Sequence, residues 1–332
     1  MANSHDVARH AGVSRSQVSN FFNRPELVSA AKSARIKAAA DELGYVPNEA
    51  ARRLRRQRSE SIGVVFTDAW DPFFDYLARG IQSEAEQEGW FVQFTNSHRD
   101  PVREARNIEH LEAQMNEAVI VFPTGDVDEQ VKRLMAHGVV VVLLDPPDIA
   151  AKVPVAPSVA VDHVLGARLA AEHLIERGGR RPAFVGNPES VRHVANRHEG
   201  FRLGWGALAE PRLFRTDGLS VTSGIEVGQE ILALPADERP DAILAANDLV
   251  AFGLLQTLAR GGVRVPEDTR IVGYDDVQYA SEIEPNLTTV YQPAADLGRT
   301  AVRLAIEAAR GDRPAEHPHI LFDPVLVVRD TS

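Results

Sequence analysis

From residue 61 onward, short apolar runs alternate with longer amphipathic stretches. The runs at 61–67, 91–95, 118–122, 139–145, 159–162, 182–186, 242–246, 270–274 and 288–291 are short and rich in Val, Ile and Ala. Polar residues, Gly or Pro bound them, so they read as buried strands, with a last strand-like run at 325–328. Between them, 74–87, 165–177, 249–260 and 294–309 carry apolar residues at helical spacing. Strand–helix alternation over this length predicts parallel sheets covered on both faces. Nine or ten strands exceed one comfortable open sheet, so two similar α/β subdomains are expected, with a ligand cleft between them.

Residues 4–44 read differently, as three helices. The first covers 6–11 and stops at Gly12, the residue that best tolerates a left-handed cap. Ser14 is placed to cap a second helix over 15–22. The third covers 30–43 and ends at Gly44. Helix, Gly-containing turn, helix is the signature of a helix-turn-helix, whose second helix enters the major groove of DNA. The residues at that helix's start are Arg15 and Ser16, with Asn20 one turn on. Arg can bind guanine and Asn can bind adenine bidentately, so the residue types suit base readout. Ala8, Val13 and Val18 would form the small core. Taken alone, the same pattern equally fits an ordinary interhelical turn with a solvated arginine.

Charge sharpens the division. The 332 residues carry a net −11, which at first argues against a nucleic-acid partner. Residues 1–60 hold 11 Lys+Arg against 6 Asp+Glu, a net of +5, which leaves −16 on the remainder. A basic arm on an acidic body is a recognised mark of nucleic-acid or membrane contact. The longest strongly apolar run, 139–144, is far below the roughly 18 residues a membrane helix needs. No apolar leader follows Met1, and cysteine is absent; both fit the cytoplasm. Lack of cysteine also removes thiol nucleophiles and Cys-ligated zinc.

Enzyme signatures are missing: no phosphate-loop, dinucleotide-binding, HExxH or GxSxG motif occurs. The eleven histidines are scattered, with no metal-ligand spacing. No cofactor, metal site or catalytic residue is therefore expected. Two rival classes remain weaker. A transport binding protein should carry a signal peptide, and a nucleotide-dependent enzyme should carry a phosphate loop.

The segment Asp6-Val7-Ala8-Arg9-His10-Ala11-Gly12-Val13-Ser14 closely resembles the start of the lactose-repressor/galactose-repressor family of bacterial transcription regulators. Val18-Ser19, Asn23, Val28-Ser29, Glu42-Leu43-Gly44-Tyr45-Val46-Pro47-Asn48 and Ala51-Arg52 fall at that family's spacing. The resemblance implies a helix-turn-helix head at 1–46, a hinge helix and linker at 47–60, and an effector-binding, dimerising body at 61–332. That body would have two α/β subdomains, discontinuous in sequence, of periplasmic-binding-protein type I fold. It also implies that Arg15, Ser16 and Asn20 read bases, while Ser14, Gln17, Ser19, Asn23 and Ser29 contact or frame phosphates. Asn20 departs from the family's frequent arginine, and Phe21-Phe22 replaces smaller aliphatics.

Asn48 can cap a short hinge helix over 49–55, too short to persist alone, whose basic face would order against phosphates. By resemblance the hinge contacts come from Asn48, Ala51, Arg52, Leu54 and Arg55, and Leu54 is the wedge that enters the minor groove. An arginine-rich solvated linker is the plainer reading of the same residues.

In the body the resemblance rests on Asp71-Pro72-Phe73-Phe74, Val161-Asp162, Arg197-x-x-Gly200-Phe201, Asn247-Asp248, Gly273-Tyr274-Asp275-Asp276 and Gln292-Pro293. It implies effector contacts from Asp71, Phe73, Arg197, Asn247, Asp275 and Gln292; Trp70, which adjoins Asp71, is expected as an extra wall. A sugar needs planar hydrogen-bonding groups beside aromatic faces, which this set supplies; a nucleoside or purine is the alternative. Arg197 could instead only anchor a loop, and Asp248 could simply cap the following helix. His163 stands where the family has asparagine, and Pro146-Pro147 where an arginine is common. The expectation is a repressor that binds a palindromic operator as a homodimer, without the leucine-heptad tail of some relatives.

Overall fold

The computed structural model describes residues 2–45, 59–146, 155–311 and 317–332. The expected hinge helix, with Asn48, Ala51, Arg52, Leu54 and Arg55, lies outside the described residues, as does Pro147. The chain divides into two compact units, residues 1–59 and 60–332.

The first unit is a three-helix head. Helix α1 spans Ser4–Ala11, two residues longer at its start than expected, because Asn3 rather than a later residue caps it. Asn3 Oδ1 accepts from the N–H of His5 and Asp6, and Asp6 reaches back to the N–H of Asn3, which satisfies the orphan donors of the first turn. Gly12 ends α1 in the left-handed conformation, at φ 60°. Helix α2 spans Arg15–Asn23, and α3 spans Ala30–Glu42 after a 3₁₀ turn at Pro25–Leu27. Val7, Val18 and Ile36 form the centre of a core completed by Ala8, Ala11 and Ala39. Val13, expected there, is only half-buried and covers the core's edge with Phe21 and Phe22.

The second unit holds two six-stranded sheets among the described residues. The first lobe contains β1 (Ser61–Phe66), β2 (Phe91–Asn96), β3 (Ala118–Val121), β4 (Val140–Leu144), β5 (Ser158–Val161) and β11 (His319–Phe322). They lie in the order β11-β5-β4-β3-β1-β2, and every pairing is parallel. The second lobe contains β6 (Pro182–Val185), β7 (Arg212–Phe214), β8 (Ala242–Ala245), β9 (Arg270–Asp275), β10 (Thr288–Tyr291) and β12 (Val325–Val327). Their order is β12-β10-β9-β8-β6-β7, with only β12 antiparallel. Strands β7 and β11 have no counterpart in the sequence reading. Both are edge strands with exposed residues, and their apolar runs, Leu213-Phe214 and Ile320-Leu321-Phe322, are too short to mark a strand.

Helices cover both faces, as parallel sheets require. In the first lobe α4 (Pro72–Gln87) and α11 (Ala294–Arg310) pack on one face, where Leu77, Ile81, Leu297 and Val302 are buried against Ile62 and Val64. Helices α5 (Pro101–Ala113) and α6 (Asp128–Ala136) cover the other through Ile108, Leu111, Val131 and Leu134. In the second lobe α7 (His163–Glu176), α8 (Arg192–Trp205), α9 (Val221–Ala233) and α10 (Asp248–Arg260) share one core with the sheet. The backbone passes between lobes three times: from β5 into α7, from β10 into α11, and from β11 into β12. The subdomains are thus discontinuous in sequence. No helix among the described residues is long and apolar enough to cross a membrane.

The α4–α11 contact depends on glycine. A Cβ at Gly80 would collide with the backbone of Ala295, and one at Gly298 would meet the Leu77 carbonyl and Ile81. The helices therefore touch backbone to backbone, and neither side chain could rotate away from such a clash. Gly80→Ala is expected to lower stability by about 1–3 kcal/mol through overpacking. Urea unfolding of the full chain checks this; an unchanged midpoint would show that α11 can move aside freely.

Candidate functional site

In the head, the start of α2 is built as a rigid presenting surface. Ser14 Oγ accepts from the Gln17 N–H at 3.2 Å, and Gln17 Oε1 accepts from the Ser14 N–H at 3.3 Å. Two residues expected at phosphates therefore also close the capping box that fixes the helix start. Arg15 and Ser16 are exposed at that end, and Ser16 shares a hydroxyl contact with Ser14 at 2.8 Å. At 100° per residue, Ser16, Ser19 and Asn20 share the face turned away from the buried Val18, and Arg15 lies at the edge of that face. Asn20 is half-buried, so it reaches less far than Arg15. Asn23 lies in the last turn of α2, and Ser29 caps α3 without using its hydroxyl for the cap.

A residue the sequence reading missed holds this turn. Arg35, on α3, donates to the carbonyls of Ala11 and Gly12. A Cβ on Gly12 would meet only the movable end of that guanidinium, so glycine is favoured there by its positive φ.

In the body, the candidate effector residues gather at the carboxyl ends of the strands of both lobes. Asp71 follows β1 and caps α4, with Oδ1 accepting from Phe73 N–H at 3.0 Å. Asn247 follows β8 and caps α10, with Oδ1 accepting from Val250 N–H at 3.0 Å. The two caps meet across the cleft, where Asn247 Nδ2 donates to Asp71 Oδ2 at 3.2 Å. Asp248, which could have been the cap, is instead wholly buried and accepts from Thr289 Oγ1 and Val277 N–H. Burial pushes its carboxyl up to about 7, against the pull of those two donors.

Arg197 is the hub of the second lobe's side. It lies in the second turn of α8 and is only 3% exposed. Its Nη1 donates to the Ala246 carbonyl at 2.6 Å, its Nη2 lies 3.2 Å from Asp275 Oδ1, and its plane sits 3.8 Å over the Tyr274 ring. Gln292 Nε2 donates to the same Asp275 oxygen at 2.6 Å, while Gln292 Oε1 is buried without a partner among the described residues. Asp275 ends β9 at φ 112°, a backbone setting that aims its carboxylate into the cleft. Burial raises the Asp71 carboxyl from its ordinary value, opposed first by the Phe73 N–H, and raises that of Asp275 well above it, opposed first by Arg197.

Two histidines flank Arg197, and of them His193 lines the space. Arg197 Nε donates to His163 Nδ1 at 3.4 Å, and His163 Nε2 faces Asp145 Oδ2 at 3.2 Å. That pattern needs a neutral ring carrying its proton on Nε2, and burial lowers the His163 pKa accordingly, with Asp145 opposing. His193 stands one turn before Arg197 on α8, its ring edge-on to Phe122 at 6.1 Å between centroids. Burial, reinforced by Arg197, drives its pKa well below the usual histidine value. Phe73, Phe74 and Phe122 supply the aromatic face from the first lobe.

The enclosed space at this point is about 20 Å³, room for roughly one water. Asp71, Phe73, Arg197, Asp275 and Gln292 line it, and Asn247 buttresses Asp71 behind it. Trp70 is not a wall: it is 82% exposed, turned outward by the bend that positions Asp71. His193, Arg99 and Leu219 line the space and were missed by sequence reasoning. The i, i+4 spacing of His193 and Arg197 carried that signal; Arg99 and Leu219, in loops, had none.

A helix-turn-helix head followed by a two-lobed α/β body with a polar cleft is the layout of a ligand-responsive DNA-binding regulator. The family model "Bacterial regulatory proteins, lacI family" matches residues 5–48, and the model "Periplasmic binding protein-like domain" matches residues 171–332. The ribose operon repressor of Escherichia coli (strain K12) is 30% identical, with 100% of both chains covered. The solved lac repressor dimer bound to operator and the anti-inducer ONPF has TM-score 0.86 and 29% identity, covering 99% of this chain and 98% of that one. A LacI family transcriptional regulator from Enterococcus faecium, with bound ribose, has TM-score 0.73 and 26% identity, covering 82% of this chain and 98% of that one. The chain belongs to the lacI family of bacterial regulatory proteins and is a DNA-binding transcriptional regulator.

The neutral histidines generate a pH prediction. A pKa held below its unfolded value contributes stability that is present above the unfolded pKa, near 6.5, and lost as pH falls through the folded value. The stability difference between His193→Gln and the parent should therefore shift in favour of the variant as pH falls from about 7.5 to 5.5. Urea unfolding of both proteins across that range checks this; a difference constant with pH would contradict it.

Proposed function

We propose that this protein is a repressor that binds a palindromic operator as a homodimer and is controlled by a small neutral hydroxylated molecule, a sugar or sugar derivative. It acts in the cytoplasm, where its DNA is, and as a sensor rather than an enzyme. One observation carries the effector reading. Planar polar groups from Arg197, Asp275, Gln292 and Asp71 converge on an aromatic face made by Phe73, Phe74 and Phe122 at the boundary of two lobes. Hydroxyl groups match the former and the apolar face of a sugar ring matches the latter. The ribose in the Enterococcus faecium regulator supports the same class. Closing the lobes on such a molecule changes the Asn247–Asp71 and Phe122–His193 contacts that join them, which is the differential interaction an allosteric ligand needs.

On the DNA side, the exposed Arg15 and Ser16, with Asn20, are the base readers of this reading, and Ser14, Gln17, Ser19, Asn23 and Ser29 its phosphate contacts. Two-fold pairing of the heads doubles a half-site too short for specificity alone. Leu54 is the minor-groove wedge and the neighbouring Arg52 and Arg55 its phosphate partners.

Arg15→Ala should weaken operator binding by about 1–3 kcal/mol and relax preference at one base position in each half-site. Binding measured against an operator library checks this. A loss spread evenly over all sequences would place Arg15 on a phosphate instead.

A further inference from the structure

Four consecutive residues, 275–278, are each tied to a different part of the body. Asp275, at the end of β9, faces the cleft and pairs with Arg197 and Gln292. Asp276 Oδ1 accepts from Arg329 Nη2 at 2.7 Å, and Arg329 Nη1 donates to the Leu287 carbonyl at 2.8 Å. The Val277 N–H donates to the buried Asp248 carboxylate at 2.9 Å. These ties hold the bend, which runs through positive φ at Asp275 and Asp276, 112° and 54°. The next amide, the Gln278 N–H, is therefore presented in a direction that the second lobe sets. It donates to the Tyr76 hydroxyl at 2.9 Å, and Tyr76 belongs to α4 of the first lobe.

The acceptor is as firmly placed as the donor. The Tyr76 ring is half-buried against the first lobe's core. Helix α4 begins at the Asp71 cap and is held against α11 by the close approach at Gly80 and Gly298. This contact differs in kind from others that join the lobes. Asn247–Asp71 and Phe122–His193 lie at the effector space, where an entering molecule can replace what it breaks. Tyr76 and Gln278 line neither that space nor the larger cavity, of about 570 Å³, at the cleft mouth. An effector gives nothing back for a bond lost there.

The lobes as they stand enclose room for roughly one water, so a larger molecule enters only when they move further apart. Where only the open form admits a ligand, apparent affinity falls in proportion to the open fraction. We propose that the Tyr76 hydroxyl is a latch between the lobes, which holds the body closed and sets how often it parts to admit an effector. Tyr76 is a positioning residue: it touches no effector and acts through the separation of the lobes. The inference goes beyond the effector reading and is independent of which small molecule the cleft takes. One hydrogen bond has a modest net worth, so the latch biases the balance without locking it.

The chain has no cysteine, so a pair introduced as Asp126→Cys and Glu189→Cys takes spin labels at those positions alone. Both positions are exposed and border the cleft mouth from opposite lobes. Pulsed dipolar measurement of the label-to-label distance in the full-length protein, diluted with unlabelled chains, reads the separation of the lobes. Tyr76→Phe keeps the ring and removes only the hydroxyl. It should raise the ratio of longer to shorter distances about two- to tenfold, the return on one lost hydrogen bond. Gln278→Ala keeps the backbone N–H and should give the parent's distribution. An unchanged or shortened distance in Tyr76→Phe overturns the latch. Opening in Gln278→Ala as large as in Tyr76→Phe also overturns it, because the side chain and not the amide would then join the lobes.

Discussion

A buried guanidinium organises the body. A guanidinium is a permanent charge, and taking one out of water is tolerable only where every direction offers a partner. Ala246, Asp275, His163 and the face of Tyr274 supply those partners from three different elements of the second lobe and its entry. Each is in turn constrained by the arginine. Asp275 must turn inward at a positive φ, Gln292 must share its carboxylate, and His163 must keep one tautomer. Removing the arginine would leave an unpaired buried carboxylate rather than a simple gap. The cleft's geometry therefore behaves as one unit, with little freedom for any single member.

The first lobe answers with fewer charges and more aromatic surface. Asp71 and Asn247 each spend one oxygen on their own helix and meet through what remains. A helix cap is a rigid attachment, so this contact ties the orientation of α4 to that of α10. The glycine-mediated approach of α4 and α11 then passes any shift of α4 to a helix that belongs to the first lobe but is reached through the second. Preorganised polar groups, a fixed aromatic face and lobes linked by helix caps are the ingredients of a sensor whose ligand moves rigid bodies rather than loops.

Much of this was legible in the sequence because it depends on local chemistry. Gly12, Ser14 and Val18 announce the turn, cap and buried face of the head, and the runs at 118–122 or 242–246 can only be buried strands. What escaped depends on partners far away in the chain. Arg35 matters because of two carbonyls more than twenty residues distant, and nothing in its neighbourhood marks it. Trp70 looked like a wall because it adjoins Asp71, yet neighbours in a bend point in different directions. The edge strands β7 and β11 have apolar runs of only two and three residues, too short to reveal a strand. Asp248 exchanged roles with Asn247 by one position, a distinction set by cap geometry and not by composition.

The three passages of the backbone between lobes bear on how the chain comes off the ribosome. The first lobe begins with β1 yet is closed only by α11 and β11, and the second is closed only by β12. During synthesis the face formed by Ile62, Val64, Leu77 and Ile81 must wait, partly uncovered, until more than two hundred later residues have emerged. Domains that are contiguous in sequence can fold one after another as they appear. Here neither lobe can finish first, so the nascent body carries an open apolar surface through most of its translation, and its two halves reach completion almost together.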